Sequence, residues 1–218
     1  QILTLPTNII PGQIPPHLDV ASETIPYTPD WPELAAHYNY KSFSLVDLLP
    51  LGTNVAIISP AGYGKTTALA YLTSVLAKSN FEDQEIARKV PFFLYAPDYF
   101  EEAGNSPIEK LINAISSYIS ALTHARFRDF VQATFRQGRA VLLVDGIDEL
   151  PPPVVDEMIK NLQLLKSQFS DVQIVLTVDT QYFGNLSEIE AQPVALRGWG
   201  YYEHRDFLNQ WGKLWQRW

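Results

Sequence analysis

Asn54-Val55-Ala56-Ile57-Ile58-Ser59-Pro60-Ala61-Gly62-Tyr63-Gly64-Lys65-Thr66-Thr67 is the stretch whose reading decides the fold. Val55 to Ile58 form a continuous apolar run, without the in-and-out alternation of a half-solvated strand. Such a run fits a strand buried on both faces of a parallel sheet. Gly62 and Gly64 then allow the positive φ of a tight turn. A helix is expected from about Gly64 to Lys78, with Leu69, Leu72 and Leu76 on one face.

Downstream the same alternation recurs. A second strand is expected over Val90 to Tyr95, where Pro91 lacks a donor and so marks an edge strand or a strand beginning. Ser106-Pro107-Ile108-Glu109 reads as a capping box with proline at the first helical position. Ile108, Leu111, Ile112 and Ile115 follow it at helical spacing. A further helix runs from about Ala125 to Gln137, and Gly138 ends it. The third strand is Ala140 to Val144, the fourth Val172 to Val178, and the fifth Pro193 to Leu196. A helix carrying Val155, Ile159, Leu162 and Leu165 lies between the third and fourth, and a last one starts near Tyr202. Strand alternating with helix implies a parallel sheet covered on both faces.

Upstream the pattern changes. Residues 1–32 contain Pro6, Pro11, Pro15, Pro16, Pro26, Pro29 and Pro32, a density that opposes helix and sheet pairing. They read as a linker or as an arm lying extended on the domain. The globular domain is expected over 33–200, and 201–218 as the start of a C-terminal helical extension. A chain that opens at Gln1 reads as an excerpt of a longer protein.

Composition narrows the function. Hydrophobic residues make up 46% and charged residues 18%, enough apolar material for one sizeable core. A net charge of -8 argues against a surface built for nucleic acid or anionic lipid. Arg126, Arg128, Arg136 and Arg139 read as a solvated helix face. With no cysteine, disulfides and thiolate metal sites are impossible, and His17, His37, His124 and His204 lack ligand-like spacing. No apolar run approaches the roughly 18 residues needed to span a membrane, and no leader is visible, so a cytoplasmic location is the default.

Two motifs carry chemistry. The turn Ser59 to Thr67 matches G-x-x-x-x-G-K-[ST] at Gly64, Lys65 and Thr66, with Ser59 at the first glycine position. A phosphate needs several N–H donors aimed at one point. The backbone of Ala61, Gly62, Tyr63, Gly64 and Thr67 and the positive end of the helix can supply them. Lys65 can reach the β- and γ-phosphates, and the Thr66 hydroxyl can bind Mg²⁺. The second motif is Val141-Leu142-Leu143-Val144-Asp145-Gly146-Ile147-Asp148-Glu149-Leu150. Asp145 emerges at the carboxyl edge of the sheet, where a carboxylate suits Mg²⁺. Asp148 is the first choice to place an attacking water and Glu149 the second.

These two motifs resemble the hallmarks of the NACHT group of STAND NTPases, signalling ATPases related to AAA+ proteins. Val90-Pro91-Phe92-Phe93-Leu94 is similar to that family's second strand, and Leu196-Arg197-Gly198-Trp199 to the segment after its fifth. The resemblance covers about Leu45 to Trp218. It implies a three-layer α/β P-loop NTPase with a five-stranded parallel sheet of order 5-1-4-3-2. It also implies ATP or ADP with Mg²⁺ as cofactors, slow hydrolysis, and self-association through a larger protein. Adenine is favoured over guanine because no Asn-Lys-x-Asp motif is present. Tyr38 and Tyr40 are candidates for the base pocket by position. One departure stands out: Thr177-Val178-Asp179 has an acid where the family places a sensor arginine. An AAA+-type motor and a nucleotide-free scaffold are the competing readings. Phe207, Trp211, Leu214, Trp215 and Trp218 fall near one face of the last helix, and exposure of Trp215 or Trp218 is expected.

Overall fold

The apolar runs of the sequence become the strands of one sheet, and their flanking amphipathic stretches become its covers. The computed structural model describes residues 23–26, 43–78, 81, 83–179, 188–196 and 201–215. In chain order the elements are β1 (Glu23–Pro26), β2 (Phe43–Ser44), α1 (Leu45–Leu48), β3 (Asn54–Ile58), α2 (Lys65–Lys78) and α3 (Gln84–Ala87). Then come β4 (Val90–Tyr95), α4 (Ala96–Glu101), α5 (Pro107–Ser116), α6 (Ala121–Arg136) and β5 (Ala140–Asp145). They are followed by α7 (Pro152–Gln168), β6 (Gln173–Val178), β7 (Ala191–Leu196) and α8 (Tyr201–Trp215).

Among the described residues the sheet order is β2-β1-β7-β3-β6-β5-β4. The parallel part, β7-β3-β6-β5-β4, has the expected order 5-1-4-3-2. The acidic strand β5 is therefore not a neighbour of β3; β6 lies between them. Pro91 sits on β4 at the edge of the order, where a missing donor costs no ladder bond on the open side.

Two apolar layers hold the sheet. On one face Ala56, Ile58, Leu142, Val144, Ile174 and Leu176 pack with Leu111 of α5, Val131 and Phe135 of α6, and Met158 and Leu162 of α7. On the other Val55, Ile57, Leu143 and Val175 pack with Leu69, Leu72 and Leu76 of α2 and Leu45 of α1. Both faces being dry explains why the central strands read as unbroken apolar runs. Asn54 ties the far ends together: Nδ2 donates to Ile189 O at 2.8 Å, and Oδ1 accepts from Ile174 N–H at 3.0 Å. No helix among the described residues is long and apolar enough to cross a membrane.

The local expectations fare unevenly. Within the proline-rich N-terminal stretch, β1 pairs antiparallel with β7, Thr24 opposite Leu196 and Pro26 opposite Val194. Pairing was not expected there. It is allowed because Glu23, Thr24 and Ile25 are free of proline, and Pro26 lies past the residues that β2 covers. Phe43–Leu48 divides into β2 and α1, with a reciprocal capping box between Ser44 and Asp47. The box expected at Ser106 is only half formed. Ser106 Oγ accepts from Glu109 N–H, but the Glu109 carboxylate accepts from Asn105 N–H instead. Helix α6 begins four residues before the expected Ala125. Tyr38 and Tyr40, Arg197 to Trp199, and the side chains of Trp215 and Trp218 lie outside the described residues. On α8, Phe207 and Trp211 stack at 5.8 Å and remain about half exposed.

Candidate functional site

Strand β3 delivers the chain to the carboxyl edge of the sheet, and the turn after it runs Ser59 to Gly64. Gly62 has φ 82° and Gly64 φ 88°, left-handed conformations that a side chain resists. A Cβ at either would meet nothing within 4 Å, so the concave side of the turn is open. The first backbone hydrogen bond of α2 is Ala68 N–H to Gly64 O at 2.9 Å. The N–H groups of Lys65, Thr66 and Thr67 precede it and find no backbone acceptor among the described residues. Together with the helix dipole they make an anion-binding end. Ala61, Tyr63, Thr66 and Thr67 are exposed around it.

Ser59 occupies the position where the motif has glycine, and its φ is not positive. Its hydroxyl donates to Ile58 O at 2.7 Å and accepts Leu196 N–H at 3.2 Å, binding β3 to β7. The side chain thus points into the sheet and away from the turn, and it does not obstruct phosphate.

Lys65 is buried to 8% exposure. Its ammonium donates to Ser59 O at 2.8 Å and Pro60 O at 3.2 Å, and pairs with Asp148 Oδ2 at 3.2 Å. The two motifs, distant in sequence, are therefore joined by an ion pair. A buried cation needs such partners, and all three are ones that phosphate oxygens can replace.

Asp145 ends β5 at 4% exposure. Its Oδ1 accepts the Thr177 hydroxyl at 2.6 Å, which fixes the carboxylate and leaves Oδ2 available. Thr177 was read only as a neighbour of the missing sensor arginine; the strand order puts β6 beside β5 and gives it this task. Gly146 then turns the chain in a left-handed conformation, φ 76°, and Ile147–Glu149 form one turn of 3₁₀ helix. Asp148 is turned back to Lys65, whereas Glu149 is exposed and accepts a hydrogen bond from Tyr95. Tyr95, the last residue of β4, carried no signal of its own in the sequence. Its register opposite Asp145 follows only from the strand order.

Thr66, Asp145, Glu149 and Tyr95 share a cavity of about 660 Å³ that continues along β4 past Phe92, Phe127 and Phe130. Asp148 is not part of its lining. Among the described residues no group of three or more His, Cys, Asp or Glu could cage a metal. One carboxylate and one hydroxyl facing a common space are instead the donor set of Mg²⁺, which keeps waters and takes phosphate oxygens as its other ligands. The residues fit that ion. Asp179, at the sensor-arginine position, is half-buried beyond the end of β6. Arg126, Arg128, Arg136 and Arg139 are exposed, as a solvated face requires.

The family model for the NACHT domain matches residues 53–214. No curated protein sequence matches the chain.

Proposed function

The chain belongs to the NACHT family of nucleotide-binding P-loop NTPases, and on that premise we propose that it is an ATP- and ADP-binding switch. ADP holds an inactive form. Exchange for ATP permits self-association of a larger multidomain protein, and slow magnesium-dependent hydrolysis resets it, as in STAND signalling ATPases. The observation that carries this reading is the Lys65–Asp148 ion pair at 3.2 Å. Phosphate and Asp148 compete for one ammonium, so nucleotide occupancy acts directly on the acidic turn. A nucleotide-free scaffold loses part of its support, because Ser59 leaves the turn unobstructed.

The roles divide as follows. The turn from Ala61 to Thr67 wraps the phosphates, and Lys65 leaves its carbonyl partners for the β- and γ-oxygens. Thr66 and Asp145 would hold Mg²⁺, which would neutralise phosphate charge. Glu149 takes the water that Asp148 was first expected to place, since Glu149 faces the cavity and Asp148 is engaged by Lys65. The water gives its proton to Glu149, its oxygen bonds to the γ-phosphorus, and the bond to the bridging oxygen breaks to leave ADP. Asp148 becomes the link that reports phosphate to the turn.

Mass spectrometry of nucleotide released from the purified chain tests the switch, and bound ADP is the expected result. Titration calorimetry with Mg²⁺ should rank ATP and ADP well above GTP; a preference for GTP removes the adenine assignment. Asp145→Asn should lower magnesium-dependent affinity and turnover together. Asp148→Asn should raise affinity, by releasing Lys65 from a partner that competes with phosphate. Equal losses of affinity in both variants would put Asp148 in the metal site and end its role as a link.

A further inference from the structure

The acidic turn leans on β4 through one side chain. In the parallel ladder Tyr95 stands opposite Asp145. Its hydroxyl donates to Glu149 Oε2. Its ring lies against Gly146 so closely that an added Cβ would come within 2.5 Å of Cε2 and 2.9 Å of Cδ2. The ring therefore fixes the first residue of the turn and the hydroxyl fixes the carboxylate three residues later. Among the described residues the phenol is the one group bonded to the Glu149 side chain. Without it, an exposed glutamate would spread over several rotamers at little cost.

We infer that Tyr95 is a positioning residue: it holds the Glu149 carboxylate in the cavity shared with Thr66 and Asp145, with Oε1 left to receive a proton from water. This rests on the proposed assignment of the hydrolytic water to Glu149. The arrangement suits that task in two ways. A hydrogen bond to one oxygen orients the other. The hydrogen bond to Glu149 also pushes the phenol pKa up to about 12, so the donor keeps its proton throughout the neutral range.

Tyr95→Phe removes the hydroxyl and keeps the ring against Gly146, so the turn itself should stay folded. ATP turnover is measured for the 218-residue chain, Tyr95→Phe, Glu149→Gln and the double variant. The expected result is a kcat about tenfold lower for Tyr95→Phe with KM within roughly twofold. The same substitution should have no further effect in the Glu149→Gln background, because Tyr95 acts through that carboxylate. An unchanged kcat, a loss that is additive in the double variant, or a rise in KM alone overturns the inference. Should the wild-type chain show no turnover, the hydrolysis reading fails by itself. The carbon-13 chemical shift of the Glu149 carboxyl at neutral pH still decides the positioning: a changed signal in Tyr95→Phe supports it, and an unchanged signal overturns it.

Discussion

Two glycine turns leave the same edge of the sheet, and they use glycine for different reasons. In the turn after β3, Gly62 and Gly64 have positive φ and nothing within 4 Å of where a Cβ would stand. In the turn after β5, Gly146 has positive φ too, but the Tyr95 ring fills the position of its missing side chain. The first turn is shaped for something that comes from outside. The second is packed against its own protein, with Glu149 bonded to Tyr95 and Asp148 to Lys65. In the proposed hydrolysis, the open cradle receives the phosphates and the supported acids are already in place when they arrive.

The sharpest way to break this comparison is alanine at each kind of glycine. Gly146→Ala meets a left-handed backbone cost of about 1–2 kcal/mol and an overlap that adds about 1–3 kcal/mol. Gly62→Ala meets the first cost alone. Urea unfolding should therefore place Gly146→Ala well below Gly62→Ala in stability, while Gly62→Ala should lose more nucleotide affinity than stability. Equal destabilisation by the two would show that the contact with Tyr95 does not constrain the turn. Lys65→Ala comes next. A lost hydrogen bond to a charged group costs about 1.5–3 kcal/mol, so ATP and ADP affinity should drop roughly tenfold to a hundredfold by calorimetry. Wild-type affinity in that variant would mean that the open turn is not the phosphate site. Ser59→Ala is the smallest. It removes the acceptor for Leu196 N–H and should cost about 1 kcal/mol of stability with affinity unchanged within roughly threefold. A larger loss of affinity would place Ser59 in the cradle and not in the sheet.

What could be read in advance follows from what is local. The run Val55–Ile58, Gly62, Gly64 and Lys65 lie within one strand–turn–helix unit, so period and turn chemistry expose them directly. Val141–Asp145 is equally local, and a single proline in β4 narrowed that strand to an edge strand or a strand beginning, of which the sheet order selects the edge. The paired β1 was missed because average proline density hides the nine proline-free residues between Pro16 and Pro26. The half-formed box at Ser106 was misread because a glutamate at the right spacing can bond the preceding N–H, here that of Asn105.

Sequence by itself determined the alternation of elements and the two motifs, which are written in neighbouring residues, and through the resemblance those motifs carry it also gave the family and the strand order. Tertiary structure alone decided which partners the acids meet. Asp148 and Glu149 are adjacent and chemically alike, yet one meets Lys65 of the first turn and the other meets Tyr95 at the end of β4. Those partners lie 83 and 54 positions away in the chain. They come together only because β6 and β4 flank β5 and its end faces both α2 and the sheet edge. No periodicity encodes such a meeting; it follows from closing the sheet, which sets side chains of distant segments within hydrogen-bond reach.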